Sequence, residues 1–290
     1  MFNETMSTFN TSRFGQALKC QFVLGRKTWI RLFGIFTFVL FMAGLFWTRV
    51  QGTNYDYMLE NWSADDLYRN YNHDVEQTVL FGIVFFCFSM LFGASYLFSQ
   101  MKDTRKRSAF LLWPVSSLEK YVVSLLLSVF WLAIITLGAY LLADALRVFV
   151  DWTTGRIVIW GIPKLAEPFA HNAAFEHWQS AWMFFTWVFY IHSLYIVGGT
   201  LFRRQQFLLT SLSIIVVVFL LVSFFSHLDN VHIDFITGTW DEKTETYTHI
   251  FHPFFYILHS TLCALIVFHY WASYKLFTRM QVINNKWLNV

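Results

Sequence analysis

Six stretches of the chain, at 32–48, 78–101, 121–143, 181–202, 207–225 and 253–274, contain no Asp, Glu, Lys or Arg. Each is about 17–25 residues long, the length a helix needs to cross the hydrocarbon core of a bilayer. Their apolar positions are continuous rather than alternating, which excludes barrel strands, and a spanning segment must satisfy its own backbone, so each is expected to be a helix. The first stretch is short, but Arg31 and Arg49 flank it with stems that reach the headgroups. Ahead of it, Phe14, Ala17, Leu18 and Phe22 recur at helical spacing opposite Arg13, Gln16 and Lys19, the pattern of a helix lying in the interface plane. The pattern predicts an all-α integral membrane protein: a single domain over 1–290, a six-transmembrane-helix bundle with an N-terminal interfacial amphipathic helix.

The segments between the runs divide by charge. Residues 1–31, 102–120, 203–206 and 275–290 hold 15 basic and 3 acidic residues, a net +12, whereas the remaining loops hold 6 basic and 15 acidic residues, a net −9. Lys and Arg are retained in the cytoplasm, so both termini, the 102–120 loop and the short 203–206 turn are expected inside and the loops 49–77, 144–180 and 226–252 outside, an N-in/C-in arrangement in the cell's inner membrane. Trp and Tyr beside acids in the outward loops, as in Asn61-Trp62-Ser63-Ala64-Asp65-Asp66, predict small folded or interfacial elements, with short hairpins around Thr154-Gly155 and 241–244. The composition agrees, with 56% hydrophobic and 13% charged residues, more apolar surface than a soluble fold of 290 residues hides. The net charge of +3 is spread over short loops and is a topology signal, not a nucleic-acid patch. The long basic lead differs from the short n-region of a cleavable signal peptide.

Catalytic chemistry is sparse. The runs as bounded contain no carboxylate or fixed cation, which argues against a proton or sodium relay. His192, His259 and His269 lie inside runs and read as neutral imidazoles bonded to backbone or hydroxyl groups. His227, His232, His249 and His252 share one outward loop but lack a helix-borne HExxH or paired cysteines, so no metal site is expected. Cys20, Cys87 and Cys263 have no redox or metal spacing. No phosphate loop is present: Gly25-Arg26-Lys27-Thr28 lacks the first glycine and the spacing that lets amides cradle phosphates. Any ATP and Mg must be bound by another chain.

The most informative segment is 102–120. It begins with Lys102, Arg105, Lys106 and Arg107, continues as an apolar ridge Phe110-Leu111-Leu112-Trp113, and is interrupted by Pro114, which disfavours helix at Trp113. Ser116 and Glu119 then match S-x-x-E, the capping box in which the Ser oxygen accepts from one amide and the Glu returns to the Ser amide. The third span is expected to start at about Ser117.

Phe110-Leu111-Leu112-Trp113-Pro114-Val115-Ser116-Ser117-Leu118-Glu119-Lys120 resembles the L-P-A-S-x-L-E-K-[FY] sequence of type-2 ABC transporter permeases from Bacteroidetes-like bacteria. Pro114, Ser116, Leu118, Glu119 and Lys120 match, and Trp113 and Val115 depart. The opening Phe9-Asn10-Thr11-Ser12-Arg13-Phe14-Gly15-Gln16-Ala17-Leu18-Lys19 and the closing Trp271-Ala272-Ser273-Tyr274-Lys275-Leu276-Phe277-Thr278-Arg279 are similar to that family's ends. The resemblance implies a permease subunit of an ATP-driven exporter, paired with a second permease copy or paralogue, surrounded by membrane lipid, and driven by a separate ABC ATPase subunit. That subunit would engage Arg105, Lys106, Phe110, Leu111, Leu112, Trp113, Pro114, Ser116, Glu119 and Lys120. Two other readings remain at this stage: a non-transporting scaffold or sensor with a permease-like fold, and a membrane enzyme or haem-handling protein using His192, His249, His252 and His259.

Overall fold

The computed structural model describes residues 9–51, 59–98, 108, 110, 112–165, 178–202, 205–226, 236–241 and 246–279. Six helices are long and apolar enough to cross a membrane: α1 (Thr11–Leu45), α2 (Ala64–Ser95), α3 (Ser117–Thr153), α4 (Trp178–Leu201), α5 (Gln206–Ser226) and α6 (Pro253–Thr278). Each covers most of one apolar run, and the first three extend ten or more residues outside theirs.

The Asn10 side chain caps α1 by accepting from the amides of Ser12 (2.9 Å) and Arg13 (3.2 Å). The helix then continues unbroken to Leu45 and on into a π-helical stretch, Phe46–Gln51. Its 35 residues extend about 50 Å at 1.5 Å per residue. The amphipathic lead is therefore continuous with the first span rather than a separate interfacial element. Nothing in 11–31 stronger than the glycines at 15 and 25 interrupts the helix, and each costs only about 1 kcal/mol.

α2 begins at Ala64, not at residue 78, and the Ser63 hydroxyl caps it by accepting from the Asp66 amide (3.2 Å). α3 runs ten residues beyond its apolar stretch, to Thr153, with a π-helical segment at Leu126–Trp131. Much of what the charge pattern assigned to outward loops is thus helix. Thr154 and Gly155 do not form a hairpin: Gly155, at φ +68°, is the left-handed residue that closes the C-terminus of α3. The hairpin expected at 241–244 is present as β1 (Ile236–Asp241) and β2 (Thr246–Phe251), antiparallel, with Ile236 opposite Phe251 and Asp241 opposite Thr246.

The chain divides into two compact units, one of residues 1–93 and 122–172, the other of 94–121 and 173–290. In the first, α1, α2 and α3 meet around Leu40, Ala139, Tyr140 and Ala143, with Phe33, Phe36, Phe41, Phe81 and Phe85 against them. Small residues set the approach, as expected where lipid gives no hydrophobic drive between helices. A Cβ on Gly44 would touch Arg147 (3.1 Å) and Thr78 (3.4 Å), and one on Gly82 would strike the Tyr140 ring.

In the second unit, α4 packs parallel to α6, with Gln179 beside Tyr256 near their starts and His192 beside Tyr270 further along, and α4 also contacts α5. Gly198 faces Thr210 of α5, and a Cβ on Gly199 would lie 2.6 Å from the Ser95 carbonyl oxygen and 2.8 Å from that of Ala94. The turn into α5 is held by Gln206, whose side-chain amide donates to the Gly199 carbonyl (2.7 Å). Because the obstacles at Gly199 are backbone atoms, Gly199→Val is expected to cost about 1–3 kcal/mol or more. Gly15→Ala, where nothing lies within 4 Å, is expected to be neutral or to stabilise by roughly 0.5–1 kcal/mol. Melting of the two variants in detergent checks this: equal midpoints would show that the α4 contact is loose.

Candidate functional site

The 102–120 connection is built locally. Lys102, Arg105, Lys106 and Leu111 lie outside the described residues. Beyond them, the Ser116 amide donates to a Glu119 carboxylate oxygen (2.7 Å) and the Glu119 amide donates to the Ser116 hydroxyl (3.2 Å). This is the reciprocal cap expected from S-x-x-E, and α3 starts at Ser117. One turn precedes Pro114, closed by the Leu112 amide donating to Ser108 O (3.0 Å), with the Val115 amide donating to Trp113 O (2.8 Å).

The apolar ridge does not form one face. Phe110 is buried, 2% exposed, and Leu112 is 80% exposed, with Trp113 between them in burial. Phe110 inserts among rings of its own chain: Trp113 at 5.6 Å and Phe277 of α6 at 6.2 Å. Burial of Phe110 and exposure of Leu112 follow from a turn that points neighbouring apolar residues in opposite directions. Of the residues expected to meet a partner, Leu112 is presented, while Phe110, Ser116, Glu119 and Lys120 are buried and serve the connection itself.

A second constellation was missed from the sequence. Asp144, Arg147 and Asp151 stand on one face of the extended α3, with side chains 2%, 1% and 0% exposed. Arg147 donates from Nε (3.2 Å) and Nη2 (2.6 Å) to Asp144 Oδ1, from Nη1 to Asp151 Oδ2 (3.0 Å), and from Nη2 to the Ile159 carbonyl (2.7 Å). The other Asp144 oxygen accepts from the amides of Gly161 (3.0 Å) and Ile162 (3.2 Å). Asp151 also accepts from the Tyr71 hydroxyl of α2 and from Arg49 (3.2 Å). Arg49 in turn donates to the Val150 carbonyl (3.3 Å) and the Thr154 hydroxyl (2.7 Å), capping the α3 C-terminus with a cation.

Two carboxylates and two guanidiniums thus balance in charge, and every Asp144 and Asp151 oxygen is bonded. Such saturation is what lets ions stay buried. Beside the network a cavity of about 10 Å³, about one water in size, is lined by Thr78, Tyr140, Asp144 and Arg147. The network draws the segment after α3 back onto the helices, and Arg156 to the Thr48 carbonyl (2.9 Å) and Lys164 to Glu76 (3.2 Å) extend the clasp. The apolar runs end before Asp144, but the helix does not, because the charges compensate one another. The i, i+3, i+7 spacing of 144, 147 and 151 was the available signal.

The histidines of the second unit have local partners. His259 Nδ1 lies 2.7 Å from the Phe255 carbonyl one turn earlier, His192 Nδ1 is 3.1 Å from the Tyr270 hydroxyl, and His269 is 2.9 Å from the Ser193 hydroxyl. His227 and His232 lie outside the described residues, and the side chain of His249 is likewise not described.

The chain matches no protein-family model, no curated protein and no solved structure. Its class therefore rests on its own architecture, that of a multi-pass membrane protein with six helices long and apolar enough to cross a bilayer.

Proposed function

We propose that the chain is the membrane-spanning permease subunit of an ATP-driven exporter, with both termini in the cytoplasm and a separate ATP-binding subunit engaging the 102–120 connection. The observation that carries this reading is the presentation of Leu112. A residue 80% exposed stands on a turn fixed on one side by the Ser116/Glu119 cap and on the other by buried Phe110, directly after four basic residues. An exposed apolar anchor on a fixed turn, preceded in sequence by cations, suits a protein groove, where one or two such side chains carry most of the binding energy. The charge asymmetry and the three patches of resemblance point the same way.

On this topology α3 enters the membrane at Ser117. Asp144 then lies about 40 Å along the helix, beyond a hydrocarbon core of roughly 30 Å, so the ionic clasp closes the outward rim. α5 is apolar and exposed around its circumference, with Ile215, Phe219, Val222 and Phe224 all more than 60% exposed. It is the helix best suited to meet lipid or the second permease copy.

Orientation is tested with single cysteines on a background lacking the native three. Cysteines replacing Asp65, Glu167 or Glu242 are expected to react with an impermeant thiol reagent added outside, and cysteines replacing Lys106 or Lys286 only after the membrane is opened. Labelling of position 106 from outside would sink the topology and the coupling role with it. Affinity capture of the tagged chain from native membranes is expected to bring down a chain with a nucleotide-binding phosphate loop.

A further inference from the structure

Phe110 is held less by α3 than by the last span. Phe98, at the end of the turn after α2, stacks on Phe277 with ring centroids 4.5 Å apart and planes within 8°. Phe110 meets the same Phe277 ring at 62°. Tyr121, in the first turn of α3, lies 6.1 Å from Phe277 and 5.5 Å from Tyr274, and its hydroxyl donates to the Tyr270 carbonyl (3.3 Å). All of these residues belong to one compact unit. The connection, the start of α3 and the C-terminal turns of α6 therefore share one aromatic core, with Phe277 the ring that touches the other three.

We propose that Phe277 is the positioning residue through which a load applied at Leu112 enters the last span. The proposal rests on the permease reading and adds a second route into the membrane besides α3. The physical reason is stiffness. Leu112 and Phe110 are on the same closed turn, and close-packed rings transmit displacement because their contacts cannot stretch without opening a void. α6 leaves this core as an unbroken helix, Pro253–Thr278, with no proline inside it beyond its first residue. A shift of its last turn is thus carried along its axis. The far side of the same turn is open, with Lys275 exposed and its ammonium 5.9 Å from the Trp271 ring.

The test uses the full chain captured with its ATP-binding subunit in inside-out vesicles, in parent, Phe277→Ala, Phe110→Ala, the double variant and the conservative Phe277→Tyr. Two rates are read: tryptic cleavage within 102–107, and maleimide labelling of Lys275→Cys on the background lacking native cysteines, with and without a slowly hydrolysed ATP analogue. Phe277→Ala is expected to keep the ATP-binding subunit, because Leu112, Phe110 and the Ser116/Glu119 cap are untouched, whereas Phe110→Ala, which loosens the turn that holds Leu112, is expected to weaken capture; both are expected to be cleaved about tenfold faster because the connection opens more often. The double variant is expected to be no worse than either single, the sign of one shared contact. Nucleotide is expected to change the labelling rate severalfold in the parent and in Phe277→Tyr and to leave Phe277→Ala unchanged.

Retained nucleotide response in Phe277→Ala, or cleavage equal to the parent, overturns the route through α6 while leaving the permease reading intact. If the parent captures no ATP-binding chain, the permease reading fails and the load transfer falls with it. The cleavage ratio then reports only on a structural socket.

Discussion

Arg147→Ala is expected to be the most damaging single substitution in the first unit, lowering stability by about 3–5 kcal/mol. The magnitude comes from what is left behind rather than from what is removed. Asp144 and Asp151 are 2% and 0% exposed as side chains, and without the guanidinium one keeps only backbone amides and the other only Tyr71 and Arg49. An unpaired buried carboxylate costs several kcal/mol, far more than the pair itself contributes relative to apolar residues of the same volume. The triple variant Asp144→Asn/Arg147→Leu/Asp151→Asn is accordingly expected to be more stable than Arg147→Ala alone, although it carries three changes. Arg147→Lys keeps the charge but cannot serve Asp144, Asp151 and the Ile159 carbonyl at once, so it is expected to fall between. Thermal melting in detergent ranks the four proteins. An Arg147→Ala protein melting with the parent would mean that water reaches these carboxylates and the clasp is a surface feature. Little salt dependence is expected, since buried pairs are poorly screened.

Leu112→Asp is expected to abolish capture of the ATP-binding subunit and leave the melting of the chain itself unchanged. The separation of the two effects is the informative part. At 80% exposure, Leu112 makes too little contact within its own chain for a charge there to unfold anything, whereas a carboxylate in an apolar groove of a partner loses its hydration without a counter-ion. Phe110→Asp is expected to do the reverse, lowering stability by placing a buried carboxylate against the Trp113 and Phe277 rings, and to release the partner only as a consequence. Trp113→Asp, half-buried, is expected to show both effects. The Ser116→Ala/Glu119→Ala pair is expected to act mildly, because a lost cap costs about 0.5–2 kcal/mol. Undiminished capture by Leu112→Asp would remove the coupling role and favour a non-transporting scaffold with a permease-like fold.

Features of this protein that depend on neighbours in the chain were legible in the sequence, and those that depend on distant partners were not. Six apolar runs determined six long helices, since transfer into hydrocarbon selects on the length and polarity of a contiguous segment. Ser116 and Glu119, three residues apart, determined the start of α3 because both partners of each hydrogen bond lie within one turn. The hairpin at 241–244 follows the same local logic. The ends of the helices did not. Whether α3 stops at residue 143 or passes through Asp144, Arg147 and Asp151 depends on Arg49, which reaches Asp151 across 102 positions, and on Tyr71, across 80. Only the tertiary structure supplies those counter-groups and so makes buried charge tolerable.

The division of the 110–113 ridge was decided in the same way. Four consecutive apolar residues read alike in sequence, but Phe277, far along the chain, takes Phe110 into the core and leaves Leu112 outside. Local hydrogen bonding and hydropathy act on segments and can be read from them; ion compensation and ring packing act between segments, and their sites exist only once the chain has brought those segments together.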